Sequence, residues 1–205
     1  MNKGGVITEK YIKPGMCTVA FAMPQNQAAF NKDCEDNRKN LARDLFYGIW
    51  GKYCDEFLNP FKKGGIEAYM KRAGVKLVYD VTLDDYGRLF HDEGRPVDIL
   101  FAHWYEECVE FYDGFATVDQ ILDKIPDSFS GIVDLNVCHP TSLVEEIGRK
   151  KGNCVVRSLY TTATPYLWLH VYVQVFKIME AEDITYIDAL NRAIRSILDA
   201  WRKKE

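Results

Sequence analysis

Apolar residues in this chain fall into short continuous runs separated by stretches with helical spacing. The runs Cys17–Ala22, Val75–Val81, Val97–His103, Gly131–Cys138 and Asn153–Leu159 read as strands covered on both faces, because half-exposed strands alternate apolar with polar residues. Between them apolar positions recur every three or four residues, the spacing of one helix face. Leu41, Leu45, Ile49 and Tyr53 predict a long helix within Asp33–Phe57, with Gly48 and Gly51 as interruptions. A short helix over Ile66–Ala73 stops at Gly74, and another follows over Asp84–Glu93. Pro140 suits the first turn of a helix running to Lys150. Two more helices, about Tyr166–Glu180 and Tyr186–Lys203, close the chain.

Between His103 and Cys138 the pattern changes. Cys108–Tyr112 and Phe115–Ala116 flank Asp113-Gly114, which predicts a small hairpin. Thr117 and Gln120 stand at capping-box spacing before Ile121, Leu122 and Ile125, which predicts a helix start. Strands alternating with helices imply an α/β fold, a three-layer sandwich with a mostly parallel central sheet flanked by helices. The length of 205 residues suits one domain over 1–205, with residues 1–15 expected to be poorly ordered. Asn59–Gly65 reads as a loop and the sole linker-like stretch.

Composition narrows the function classes. A net charge of −4 and a pI near 5.6 supply no general attraction to nucleic acid. The basic clusters Arg149-Lys150-Lys151 and Arg202-Lys203-Lys204 fall at helix ends, where they complement the dipole. Met16–Met23 reads as a core strand rather than a secretion signal, and no run is long enough to cross a membrane. The six cysteines have neither CxxC spacing nor scaffold density, so reduced thiols and a cytoplasmic location are expected.

The chemistry concentrates at two strand ends, His103 and Cys138, which lie 35 residues apart. Parallel strands of one sheet bring their carboxyl ends to one edge, where open α/β sheets bind ligands. A thiol and an imidazole there are the minimum for nucleophilic attack on an acyl group. Two-residue alternation puts Asp134 and Asn136 on the face of Cys138. His139 belongs at the rim; with no second close pair of ligands, no metal or other cofactor is expected. His91 and His170 sit in helical contexts and are assigned to packing.

The order of parts resembles the caspase-like cysteine peptidases of the CHAT type (clan CD). The resemblance is carried by Ile99–His103, Glu110–Thr117, Ile132–Cys138 and, near the end, Asp183–Leu190. It implies a caspase-like fold and an endopeptidase acting on protein or peptide substrates, with Cys138 as nucleophile and His103 as general base and acid. Trp104 stands where the family carries Gly, so its backbone N–H is the expected oxyanion donor and its indole is expected at the cleft. Asn136 stands where relatives with basic specificity carry Asp, so no preference for Arg or Lys follows. Tyr160 and Thr161 are expected on the cleft wall, while Tyr166, Trp168, Tyr172 and Phe176 have core spacing. The alternative is an inactive CHAT-like module that binds a regulatory protein partner, with Trp104 filling the site. A flavodoxin-like binding module would need a glycine-rich loop after the first strand, and Met23–Gln27 has no glycine.

Overall fold

Parallel pairing joins β2 (Lys76–Tyr79), β1 (Cys17–Phe21), β3 (Val97–Phe101), β7 (Ile132–Cys138) and β8 (Val155–Leu159), in that order across one sheet. The computed structural model describes Ile7 and residues 10–35, 41–159 and 165–202. The chain moves from β1 outward to β2 and then back across β1 to β3. That reversal opens a crevice beyond the carboxyl ends of β1 and β3, the usual ligand position in such sheets.

Alternation along the strands feeds a core on each side. Cys17, Val19 and Phe21 join a cluster with Phe57, Met70, Leu169 and Phe176, while Ala20 and Ala22 join another with Tyr86, Ile121 and Leu143. The first face carries α1 (Gln27–Glu35), α2 (Leu41–Asp44), α3 (Trp50–Tyr53), α4 (Ile66–Arg72), α8 (Pro165–Ala181) and α9 (Tyr186–Arg202). The second carries α5 (Leu83–Leu89), α6 (Val118–Lys124) and α7 (Thr141–Lys150). A small antiparallel sheet, β4 (His103–Tyr105), β5 (Cys108–Phe111) and β6 (Gly114–Thr117), packs against this second side through Val109, Phe111 and Ala116. The α/β reading from sequence therefore holds, with a five-stranded, wholly parallel main sheet.

Two local expectations change. The single helix over Asp33–Phe57 is divided: Tyr47 and Gly48 take left-handed φ of 55° and 70°, ending the turn that follows α2. Asn59–Gly65, read as a loop, is helical to Lys63 as a π-type continuation of α3 over Cys54–Lys63. Pro60 removes a backbone donor, and the wider turn accommodates it; the Gly64 N–H reaches back to Asn59 O at 2.9 Å. Phe57 and Phe61 hold this stretch against the sheet, both fully buried, with Phe61 at 4.9 Å from the Phe21 ring.

Other signals work as read. Thr117 accepts from the Gln120 N–H while the Gln120 side chain accepts from the Thr117 N–H, completing the capping box. Near the N-terminus, Ile12 is fully buried and its N–H bonds Ile184 O at 3.2 Å, while Lys13 Nζ reaches Glu182 O at 3.0 Å. These contacts tie Ile12 and Lys13 to the segment between α8 and α9.

Candidate functional site

β3 and β7 are neighbours, and Phe101 pairs with Asn136 at their carboxyl ends. Two residues further along each chain come His103 and Cys138. His103 does not end the strand, as the continuous apolar run had suggested. β3 stops at Phe101, whose carbonyl accepts from the Ala22 N–H at 3.0 Å, and after Ala102 the chain leaves the sheet. His103 then opens β4 and pairs with Glu110 of the hairpin. Cys138 is the last residue of β7. The register against β8 slips just before it, from Leu135 opposite Ser158 to Cys138 opposite Leu159, an irregularity that re-aims a strand end. His139 follows with φ of 51°, a left-handed conformation that costs about 1–2 kcal/mol for an L-residue and turns the chain into α7.

His103, Asn136 and Cys138 line one cavity, together with Trp168 from α8. The remaining wall is apolar: Met23 beyond β1, Leu41 and Leu45 at α2, and Phe101. The volume open to the centre of a water-sized sphere is about 30 Å³, enough for one or two waters. The cavity lies at the crevice that the sheet order defines.

His103 is only 6% exposed. Burial pushes its pKa below the ordinary 6.5, and the Asp44 carboxylate pulls the other way. Asp44 Oδ2 stands 3.8 Å from His103 Nε2, beyond hydrogen-bond reach. The start of α2, which carries Asp44, is fixed by the buried Glu110 carboxylate, which accepts the Leu41 N–H at 2.8 Å. The residue paired with His103 across the hairpin thus also places the carboxylate that faces it.

Three buried polar atoms of cavity-lining residues have no hydrogen-bond partner among the described residues: His103 Nε2, Asn136 Nδ2 and Trp168 Nε1. Native structures leave few such groups unsatisfied, and each costs about 1–3 kcal/mol. Asp134, two residues before Asn136, is the opposite case. It is fully buried, and its oxygens accept from Arg157 Nη1 at 2.7 Å, Tyr172 OH at 2.8 Å and Tyr186 OH at 2.5 Å. It is a satisfied ion-pair centre under the cavity rather than part of the lining. The Arg157 guanidinium also covers the Trp168 ring at 4.8 Å and so fixes the indole.

The other sequence candidates sit elsewhere. Trp104 is half-buried and packs against the core on the α5–α7 side; it does not line the cavity, where the indole belongs to Trp168. His139 is exposed at the turn after β7 and is not among the cavity-lining residues. Tyr160 and Thr161 lie outside the described residues. Beside the rim, Glu106 and Glu107 form the β4–β5 turn with left-handed φ of 48° and 62°, and Glu107 accepts the Ser142 hydroxyl of α7. Sequence reasoning missed Asp44 and assigned Trp168 to packing. The helical spacing of Leu41 and Leu45 marks the segment carrying Asp44, but nothing local to it points at His103.

No protein-family model matches the chain, and a search of curated proteins returns no match. Among the described residues, no helix is long and apolar enough to cross a membrane, and no three His, Cys, Asp or Glu side chains are grouped to hold a metal ion. The six cysteines form no disulfide.

Proposed function

We propose that this chain is a caspase-like cysteine peptidase in which Cys138 attacks the substrate carbonyl and His103 handles the protons. The observation that carries this reading is the shared cavity: Cys138 and the buried His103, whose pKa burial lowers, line one space at the carboxyl edge of a parallel sheet. In the reaction His103 takes the Cys138 proton as the S–C bond forms, and the carbonyl π pair moves to oxygen. Collapse of the intermediate breaks the C–N bond, and His103 returns the proton to the leaving amine. Water then hydrolyses the thioester, with His103 again as base. Asp44 is the positioning residue: its charge favours the imidazolium that forms during each transfer. The first turn of α7 lies just beyond Cys138, and a helix N-terminus favours negative charge nearby.

The test is cleavage of a denatured-protein peptide mixture by the full chain, read by mass spectrometry. Cuts that disappear in both Cys138→Ser and His103→Ala support the reading.

A second reading, an inactive domain of this type that binds a protein partner, is favoured by the small volume of the cavity and by Leu41, Leu45 and Trp168 along its wall. It predicts no cleavage, and Cys138 that reacts with iodoacetamide no faster than the other five cysteines.

A further inference from the structure

We infer that the Asn136 side-chain amide and the Trp168 indole N–H form a donor pair that receives the carbonyl oxygen of an amide or ester substrate. The inference rests on Cys138 being a nucleophile and adds the group that holds the oxyanion.

Both side chains are 8% exposed, and their nitrogens have no partner among the described residues. An indole nitrogen only donates, and an amide NH₂ only donates, so the missing partner is an acceptor. Both residues line the cavity of Cys138 and His103. Its volume of about 30 Å³ is the size of a small group such as a carbonyl.

Charge selects the kind of acceptor. Asp44 stands beside His103, and the nearby Arg157 guanidinium is engaged by Asp134. A resident anion therefore meets the Asp44 carboxylate while the Arg157 charge is already engaged, whereas a neutral carbonyl becomes negative only as His103 becomes positive. The donors are also held in advance. Arg157 covers the Trp168 ring at 4.8 Å, and Asn136 pairs in the sheet with Phe101. Donors fixed before charge develops are the ones that accelerate acyl transfer.

Two probes of the thiol separate this role from packing. p-Nitrophenyl acetate acylates a thiol through an oxyanion: the S–C bond forms, the C–O bond breaks, p-nitrophenolate leaves, and the thiol proton passes to His103. Iodoacetamide alkylates the same sulfur by direct displacement of iodide, with no oxyanion. Acylation and alkylation of Cys138 in the full chain are followed by mass spectrometry for the wild type, Asn136→Ala and Trp168→Phe. Loss of one oxyanion donor costs roughly 10²-fold, so each variant should slow acylation by about that factor while alkylation of Cys138 stays within a few-fold of wild type. Trp168→Phe keeps a ring for Arg157 to cover, and the alkylation rate reports that the site is still assembled. Equal slowing of both reactions, or no slowing of acylation, overturns the donor pair and leaves the nucleophile standing. A wild-type Cys138 that is no faster than the other cysteines towards both probes overturns the nucleophile and the donor pair together.

Discussion

His103 Nε2 lies 3.8 Å from Asp44 Oδ2, and the imidazole that makes this approach is almost fully buried. Burial and the carboxylate pull the His103 pKa in opposite directions, and burial wins. A base that takes up its proton at lower pH than an ordinary histidine follows from that balance.

Replacing Asp44 tests the balance directly. Asp44→Asn removes the upward pull, so the His103 imidazole should titrate at lower pH in the variant than in the wild type, which itself should titrate below 6.5. Histidine ring resonances followed by NMR across pH 4–8 give both midpoints. An unchanged or higher midpoint in the variant would show that the carboxylate does not act on the ring. The stability sign follows from the same shift. Because the folded value is depressed, the unfolded chain takes up the proton first as pH falls through 6.5, and stability is lost towards acid. His103→Gln should remove that part of the acid sensitivity.

The strands were legible in the sequence because both faces of the sheet are covered, which turns each strand into an unbroken apolar run. That signal also misled at His103. Ala102 and His103 are both buried, so the run continues past the point where the backbone leaves the sheet for the hairpin. Asn59–Lys63 was misread because proline and polar residues hide the Phe57 and Phe61 contacts that hold it helical. Asp44 and Trp168 meet the strand ends only through tertiary packing, so no local spacing marks them. Trp104 follows His103 on β4, but successive side chains of a strand point to opposite faces, and the indole packs against the core on the α5–α7 side.

Asp98 gives a pH dependence of the opposite sign. It lies on β3 between Thr18 and Val133 in the register and is fully buried, with the Thr18 hydroxyl beside its carboxyl group. Burial raises its pKa from 3.8 to about 7, with Asp92 adding to the rise and Lys76 opposing it. The folded state therefore holds a proton that the unfolded state releases. Asp98 favours folding fully below pH 3.8, and that contribution is lost as pH rises towards 7, by on the order of a few kcal/mol. Urea unfolding at pH 5 and pH 8 should show Asp98→Asn gaining on the wild type at the higher pH. Equal differences at the two pH values would mean that Asp98 does not titrate in this window.

Gly131 tests how closely the chain must pass before β7. A Cβ there would come within 2.2 Å of Pro96 O and 2.4 Å of the Phe129 ring. Pro96 O also accepts the Ile132 N–H at 2.7 Å, so the backbone cannot move away without losing that bond. Gly131→Ala should cost about 1–3 kcal/mol, the range for overpacking a filled site. Gly152→Ala is the control, because a Cβ there meets nothing within 4 Å. Equal denaturation midpoints for the two variants would show that the approach at Gly131 is relaxed in solution.

The Asp134 cluster separates support of the site from its chemistry. Asp134 takes the Arg157 guanidinium and the Tyr172 and Tyr186 hydroxyls, so Asp134→Ala leaves a buried cation and two hydroxyls short of an acceptor. Breaking a buried pair on one side costs about 3–5 kcal/mol. Tyr186→Phe leaves the pair intact and should cost less, about 1.5–3 kcal/mol, the worth of a hydrogen bond to a charged group. Replacing both charges, as Asp134→Leu with Arg157→Met, should recover much of the Asp134→Ala loss, because apolar residues of similar size often serve as well as a buried ion pair. Chemical denaturation of the three variants measures these differences. The double variant also removes the cation over the Trp168 ring. Iodoacetamide alkylation of Cys138 should then stay near the wild-type rate, while acylation by p-nitrophenyl acetate falls as the indole loses its fixed position. A double variant as unstable as Asp134→Ala would show that the cluster holds the fold by more than its charges. Unchanged acylation would show that Trp168 keeps its place without Arg157.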